Sequence, residues 1–375
     1  MISSQGIKKI QKQTALKIFD LSNPLKICWK LENEESIDYS DASDNQDDLF
    51  VFSSGGKINS LTPESGEKRW ETNLGGDVVS TPYIDGENVY IVSKPNQNRD
   101  EVANENEGNI IIRSLSISSG ITVWQTSLKT KLNPEQVTLY IFESTLLIAD
   151  SNGNCHSINK NDGNFNWLKI LDVKLSAPPY FYADKAIFGT FGKQLIILTL
   201  GEGKIYEKID LRAIPTAISY NIKNETLIVG DQKGVVSLIK IDFEISKKEK
   251  EKKNINWKFR LGAEVSNISF TPRGLLITSL DNFVYLISTE KGKLIWKKRL
   301  AGRISEKLLI LDNYALLTTI ADPTISVIEL STGRLINKII LENENFVTAS
   351  PIKAQNNIIV TTSKGLYAFS ADECL

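Results

Sequence analysis

Short apolar and β-branched runs of four to eight residues recur along almost the whole chain. Gly, Asn, Asp and Pro separate these runs, which is the pattern of β-strands joined by tight turns. One unit shows the order: a first strand over 77–83, a turn at Asp85-Gly86, and further strands over 88–93, 109–115 and 121–124. The pattern predicts an all-β protein built from repeated four-stranded units.

About eight such units follow one another, with a period in the range of β-propeller blades. The last unit ends after its third strand, at 366–370, whereas the strand over 27–31 has no strands before it. The two fragments complete one blade, and closing a ring removes exposed sheet edges. We therefore predict an eight-bladed β-propeller of four-stranded antiparallel blades, closed by pairing of 28–31 with 366–370. Residues 1–24 are expected to form a tail, and 25–375 a single domain.

All six Trp residues occupy one position of the repeat, typically four residues after a turn Gly and four before a Leu. A Trp on the outer strand can bury about 150–250 Å² against the next blade. We interpret these residues as structural blade seams; they are Trp29, Trp70, Trp124, Trp167, Trp257 and Trp296. Lys253 replaces the Gly before Trp257, and Glu207 and Asn337 replace Trp in two units. The seams with Glu207 and Asn337 are expected to be the weakest.

Two stretches, 60–70 and 157–167, end in a turn Gly followed four residues later by Trp, at Gly66/Trp70 and Gly163/Trp167. With first strands such as Ser-Thr-Pro82, they make the chain resemble the pyrroloquinoline-quinone-type (PQQ-like) propeller repeat. The resemblance covers about residues 26–375 and implies the propeller fold. The rival Trp-Asp (WD40) repeat is disfavoured, because no unit has its closing Trp-Asp pair.

Two kinds of protein share the PQQ-like repeat. Quinoprotein dehydrogenases hold the quinone and calcium, whereas scaffold propellers, such as the outer-membrane barrel-assembly lipoproteins of bacteria, hold neither. This chain has no adjacent Cys pair and is short for the enzymes. The resemblance therefore implies a non-enzymatic scaffold for protein–protein interaction or assembly, with no catalytic, cofactor-binding or metal site. The alternative is a quinoprotein-dehydrogenase-like or sugar-binding propeller.

The remaining residues that could carry chemistry are interpreted as having structural roles. His156 is the only His and lies in a repeat strand, so it is expected to be structural. The stretch 150–154 begins like a calcium loop, but Cys155 and Asn161 stand where that loop needs Gly and Glu, which favours a hairpin turn. Three separated Cys residues, Cys28, Cys155 and Cys374, lack Cys-x-x-Cys spacing and are expected to be unpaired thiols.

The net charge and the hydropathy of the sequence limit which partners and which cellular compartment are expected. The net charge of −1 disfavours nucleic acid as a partner. No apolar run reaches the roughly 20 residues of a membrane span, and the first residues do not form a signal peptide. As written, the chain is expected to be a cytoplasmic monomer; a periplasmic or membrane-associated location, as in related propellers, is the alternative.

Acidic residues cluster in two loops that should emerge on one face of the propeller. They are Glu32, Glu34, Glu35, Asp100, Glu101, Glu105 and Glu107. We predict that this acidic face docks an unidentified protein partner that is basic or extended, with salt sensitivity. The basic insertion 247–253 should project from the opposite face. The competing interpretation is that the acidic loops serve only solubility.

Overall fold

The computed structural model describes residues 21–32, 37–42, 47–53, 55–95, 108–130, 137–221, 226–241, 255–304, 308–319, 324–341, 345, 347–371 and 374. Within these residues, 32 strands form eight four-stranded antiparallel sheets. Each sheet is one blade, and its strands follow one another along the chain except in the blade that holds both chain ends. The predicted eight-bladed, all-β propeller is confirmed.

The strands are numbered in chain order. Blade 1 consists of β2 (Ile37–Ala42), β3 (Leu49–Ser53), β4 (Lys57–Leu61) and β5 (Lys68–Asn73), and blade 2 of β6 (Tyr83–Asp85), β7 (Asn88–Ser93), β8 (Gly108–Ser116) and β9 (Thr122–Thr130). Blade 3 consists of β10 (Val137–Phe142), β11 (Thr145–Asp150), β12 (Asn154–Asn159) and β13 (Phe165–Ile170), and blade 4 of β14 (Tyr180–Tyr182), β15 (Lys185–Thr190), β16 (Gln194–Thr199) and β17 (Ile205–Asp210).

The second half of the ring repeats this order. Blade 5 consists of β18 (Pro215–Asn221), β19 (Thr226–Asp231), β20 (Val235–Lys240) and β21 (Ile255–Arg260), and blade 6 of β22 (Val265–Thr271), β23 (Gly274–Ser279), β24 (Phe283–Ile287) and β25 (Leu294–Arg299). Blade 7 consists of β26 (Leu309–Leu311), β27 (Tyr314–Thr318), β28 (Thr324–Glu329) and β29 (Leu335–Ile340). Blade 8 consists of β30 (Ile352–Ala354), β31 (Asn357–Thr362), β32 (Gly365–Ser370) and β1 (Lys26–Glu32).

Both chain ends meet in blade 8. Strand β1 pairs antiparallel with β32, with Ile27 opposite Phe369, Trp29 opposite Ala368 and Leu31 opposite Leu366. The predicted closure of the ring by the N-terminal strand is thereby confirmed. Leu21, just ahead of β1, is fully buried in an apolar cluster with Leu341 of the blade 7 side.

The core lies between neighbouring blades rather than within any one of them. The second and third strands of each blade are mostly buried because blades cover both of their faces, as the uninterrupted burial of β15 and β23 shows. Several first strands are shorter than the sequence pattern predicts: β6, β14 and β30 have three residues each and begin directly after Pro82, Pro179 and Pro351. Proline has no N–H for the strand ladder, so regular pairing starts only after it.

Each blade has a β-bulge between its third and outer strands. In blade 3, Ser157 pairs with Trp167 but Ile158 pairs with Phe165, so Asn166 is the extra residue. The equivalent register shift occurs in all eight blades, always one residue before the Trp position. A bulge of this kind bends the strand and re-aims the side chain that follows it, which here is the seam residue.

Candidate functional site: blade seams and an open cleft

Each seam Trp contacts the turn of the next blade. The Nε1 atom of Trp124 in blade 2 donates a hydrogen bond to the backbone oxygen of Lys160 in blade 3, at 2.9 Å. The indole ring lies against Gly163, where an added Cβ would stand 2.6 Å from Cε3 of Trp124. Gly163 has a φ of 73°, so both the turn conformation and the close ring require glycine.

This arrangement occurs at six of the eight seams. In every case the indole Nε1 donates to a backbone oxygen of the following hairpin, at 2.7–3.1 Å. The pairs are Trp29 with Gly66, Trp70 with Gly120, Trp124 with Gly163, Trp167 with Gly203, Trp257 with Gly292 and Trp296 with Gly333. The Gly of the repeat therefore also receives the Trp of the preceding blade, a role that the sequence analysis did not assign to it.

The two seams without Trp also lack the receiving Gly. Blade 4 carries Glu207, and the turn of blade 5 has Lys253 at the Gly position; residues 242–254 lie outside the described part of the chain. Blade 7 carries Asn337, and in blade 8 the two chain ends take the place of the β32–β1 hairpin. A seam that has Trp on one blade therefore has the turn Gly on the next blade, and a seam that lacks the Trp also lacks the Gly. At the blade 7–8 seam, Asn337 Nδ2 instead donates to the backbone oxygen of Asn23, at 2.8 Å.

A disulfide joins Cys28 to Cys374 across the chain ends. The expectation that these cysteines are unpaired thiols is wrong, because ring closure brings together two residues separated by 346 positions, with their Cα atoms 5.1 Å apart. Cys28 is the bulged residue of β1. Cys374 lies four positions beyond the end of β32, so the disulfide joins the segment after β32 to β1, where a hairpin joins the third and outer strands in the other blades. Cys155 is free and buried, and burial raises the pKa of its thiol, so it is a poor nucleophile.

A cleft of about 630 Å³ opens between blades 4 and 5, at one of the seams that lack Trp. Aliphatic side chains of both blades form its floor, among them Ile209, Val229 and Ile239. Basic side chains line it as well; they are Lys208, Arg212, Lys233, Lys258 and Arg260. The sequence pattern did not predict this cleft. The replacement of Trp by Glu207 indicated only that this seam is one of the two weakest.

Most of the predicted acidic face lies outside the described residues. This holds for Glu34, Glu35, Asp100, Glu101, Glu105 and Glu107, and also for the basic insertion 247–253. Glu32 is described: it is exposed at the end of β1 and accepts a hydrogen bond from Lys30 Nζ at 2.8 Å. That bond and the charge of Lys30 lower the pKa of Glu32.

The polar groups around β11 and β12 serve the local fold. Asp150 Oδ1 accepts hydrogen bonds from the backbone N–H groups of Asn152 and Asn154, both at 2.9 Å, so this carboxylate caps a hairpin turn. His156 is 4% exposed and lies opposite Ile148 in the cross-strand register. Burial lowers the pKa of His156, although the nearby Asp150 acts in the opposite direction. Among the described residues, no group of three His, Cys, Asp or Glu side chains is placed to hold a metal ion.

In the part of the chain that the structure describes, no helix has the length and apolar character needed to cross a bilayer.

Eight four-stranded blades with Trp–Gly seams define the class as a PQQ-like β-propeller. A family model described as outer membrane protein assembly factor BamB matches residues 26–167, 106–242 and 244–373. The chain belongs to this PQQ-like repeat family.

Individual relatives are distant. Outer membrane protein assembly factor BamB of Escherichia coli (strain K12) is 27% identical over 118 residues, which are 31% of this chain and only 25% of that protein. The protein of the same name from Yersinia pestis is 19% identical over 332 residues, 86% of this chain and 82% of that protein. The first of these matches therefore spans about a quarter of the relative's length.

Solved structures share the fold. BamB from Moraxella catarrhalis superposes with a TM-score of 0.65 at 13% identity, covering 92% of this chain and 97% of that one. The C-terminal WD40 domain of Sif2 gives 0.70 at 13% identity, with coverages of 92% and 98%. The computationally designed Ika8 protein also gives 0.70 at 13% identity, with coverages of 92% and 99%. At these identities the likeness shows the propeller fold alone.

Proposed function

We propose that the protein is a non-catalytic scaffold that helps to assemble outer-membrane proteins, through contacts with other proteins. The observation that carries this proposal is the family match, whose three matched ranges cover residues 26–373 except residue 243. The Yersinia pestis relative, outer membrane protein assembly factor BamB, aligns over 86% of this chain. In the described strands, the repeat residues are used to join blades, which suits a rigid platform for partners.

We also propose that the protein works outside the cytoplasm, in place of the cytoplasmic location expected from the sequence. The Cys28–Cys374 disulfide supports this proposal, because disulfides persist in oxidising compartments and are rare in the cytosol. The relatives are outer membrane protein assembly factors, which also supports a location outside the cytoplasm.

The acidic face remains part of the proposal. Glu32, Glu34, Glu35, Asp100, Glu101, Glu105 and Glu107 would dock a basic or extended segment of a partner, and the protein would act as a monomer. A variant with Glu34→Lys, Glu35→Lys, Asp100→Lys and Glu101→Lys tests this surface. Its partners in a pull-down at low and high salt should differ from those of the wild type, and unchanged partners with an intact fold would exclude it.

The experiment on the scaffold function is a depletion in the cells that make the protein. We expect the outer-membrane β-barrel proteins of the envelope to fall on depletion and to recover when the wild-type chain is restored. A soluble envelope protein is the internal control. Unchanged β-barrel levels would contradict the proposal. Dye reduction by purified protein supplied with pyrroloquinoline quinone, calcium and an alcohol or sugar would instead favour the dehydrogenase alternative.

A further inference from the structure

The cleft between blades 4 and 5 lies at a seam whose sequence differs from that of most other seams. Elsewhere an indole ring reaches from the outer strand of one blade to the hairpin of the next, as Trp257 does at the blade 5–6 seam. Blade 4 has Glu207 at this position, and blade 5 has Lys253 where the receiving Gly would be. A cleft of about 630 Å³ lies between β17 and β20 at this seam. Residues 242–254, which include Lys253, are outside the described part of the chain.

The floor of the cleft is apolar and belongs to the seam core. Ile209 of β17, with Val229 of β19 and Ile239 of β20, is buried in one apolar cluster that spans both blades. Val235 also lines the cleft and is half-buried. A side chain that enters here would be removed from water, and each buried CH₂ group contributes about 0.8 kcal/mol.

The cleft carries an excess of positive charge. Five basic residues line it, Lys208, Arg212, Lys233, Lys258 and Arg260, against the two carboxylates of Asp210 and Asp231. All five basic residues are exposed, and none forms an ion pair with another described residue. This surface attracts an anionic ligand.

Both carboxylates already have hydrogen-bond donors. Asp231 Oδ1 accepts from the backbone N–H groups of Lys233 and Val235, both at 2.9 Å. Asp210 Oδ1 accepts from Gln194 Nε2 at 2.7 Å. These neutral donors leave the charge of both carboxylates in place, so the lining of five basic and two acidic residues keeps an excess of three positive charges.

We propose that this cleft binds an extended segment of a partner protein in which carboxylates alternate with aliphatic side chains. The aliphatic side chains would occupy the floor, and the carboxylates would lie among the basic residues. Strand β17 is the edge strand of its sheet, and an exposed edge can accept an extended segment. This inference rests on the proposed scaffold function and specifies the chemistry of one partner.

The neighbouring seam offers a matched control. Lys297 and Arg299 of β25 stand one and three residues after Trp296, as Lys258 and Arg260 stand after Trp257. At the control seam between blades 5 and 6, however, Trp257 packs against Gly292 and donates to the backbone oxygen of Thr289. Charge reversal at the two pairs changes the net charge equally, but only the first pair lines the cleft.

The test uses the full chain and a fluorescein-labelled peptide, Ser-Glu-Ile-Glu-Val-Asp-Leu-Ser, followed by fluorescence anisotropy. A second peptide has Lys in place of the three acidic residues. We expect saturable binding of the acidic peptide, weakening at high salt, and no binding of the basic one. Absence of saturable binding by the acidic peptide at low salt, or equal binding of both peptides, would overturn the proposal. Such a failure would leave the depletion result, and with it the scaffold function, untouched.

Variants localise the binding. Lys258→Glu with Arg260→Glu should weaken the acidic peptide by about tenfold or more, whereas Lys297→Glu with Arg299→Glu should have a smaller effect. Val235→Trp should block the cleft without changing charge. Circular dichroism and unfolding midpoints verify the fold of each variant. Equal effects of the two charge reversals, or no effect of Val235→Trp in a folded protein, would contradict the assignment.

A final experiment distinguishes binding of an acidic peptide from binding to a lipid surface. Vesicles of phosphatidylglycerol and phosphatidylcholine are sedimented with the wild type and with the Lys258→Glu, Arg260→Glu variant. At the salt concentration at which the acidic peptide binds, the proposal expects neither protein to sediment with the vesicles. Loss of vesicle binding in this variant, with peptide binding unchanged, would assign the basic residues to a lipid surface and overturn the proposal.

Discussion

The indole of Trp124 lies against Gly163 of the following blade, and its Nε1 donates to the backbone oxygen of Lys160 at 2.9 Å. The two residues come from successive repeats, so each repeat is incomplete without its neighbour. A ring and a hydrogen bond at six seams join neighbouring blades. The Gly–Trp pattern is thus a contact between blades as well as a turn within one.

Gly163→Ala should destabilise the protein by about 2–4 kcal/mol, since positive φ costs about 1 kcal/mol and overpacking adds about 1–3. The added methyl would stand 2.6 Å from both the Trp124 ring and the Thr126 hydroxyl of the preceding blade. Gly86→Ala is the matched control, because Gly86 has a φ of 58° but nothing within 4 Å of an added Cβ. Denaturant unfolding of the two variants separates the cost of the close contacts with Trp124 and Thr126 from the cost of positive φ. Equal losses of stability would show that Trp124 and Thr126 move aside at no cost in free energy.

Trp124→Ala should lower the free energy of unfolding by about 3 kcal/mol, near the lower end for buried Trp truncations because the side chain is half-buried. Trp124→Phe should retain most of the packing and lose the hydrogen bond, which contributes about 1 kcal/mol. Glu207→Ala provides the control at the same repeat position in blade 4, and we expect a change below about 1 kcal/mol. If Glu207→Ala were as destabilising as Trp124→Ala, the seam role of Trp would be wrong.

Much of this architecture could be predicted from the sequence, because strand period, turn residues and the Trp position are local signals. Ring closure was also predictable, since the half-blades at 27–31 and 366–370 complement each other. The Cys28–Cys374 disulfide was not predicted, because each Cys was considered apart from the ring closure that brings residues 346 positions apart into one blade. The cleft was missed for a similar reason: Glu207 and Lys253 read as separate departures from the repeat, and only the ring order places them at one seam.

Reducing the disulfide should destabilise the protein by about 2–4 kcal/mol, the range common for native disulfides. Cys374→Ser should unfold at a lower temperature than the wild type and should not respond to a reductant. Cys155→Ala keeps the disulfide and should remain sensitive to reductant. Thermal unfolding with and without dithiothreitol measures both effects. Three titratable thiols in the unreduced, denatured wild type would show that the bond does not form.

The buried His156 should make stability depend on pH. Burial depresses the pKa of this imidazole in the folded state, against the opposing effect of Asp150, below the ordinary value of 6.5. Between these two pKa values the unfolded chain binds a proton that the folded protein does not. The free energy of unfolding therefore rises with pH across this window, and the stability is lost as pH falls from about 6.5 through the folded pKa. The slope from one such group is at most about 1.4 kcal/mol per pH unit.

His156→Leu removes the titrating group with a similar side-chain volume, and no other histidine is present in the chain. Urea unfolding of the wild type at a series of pH values should show stability falling below about pH 6.5, and the variant should lack this part of the fall. Carboxylates titrate at lower pH and should contribute equally to both proteins. Parallel pH profiles for the wild type and the variant would mean that His156 is protonated as readily in the folded protein as in the unfolded chain, against the depressed pKa that its burial implies.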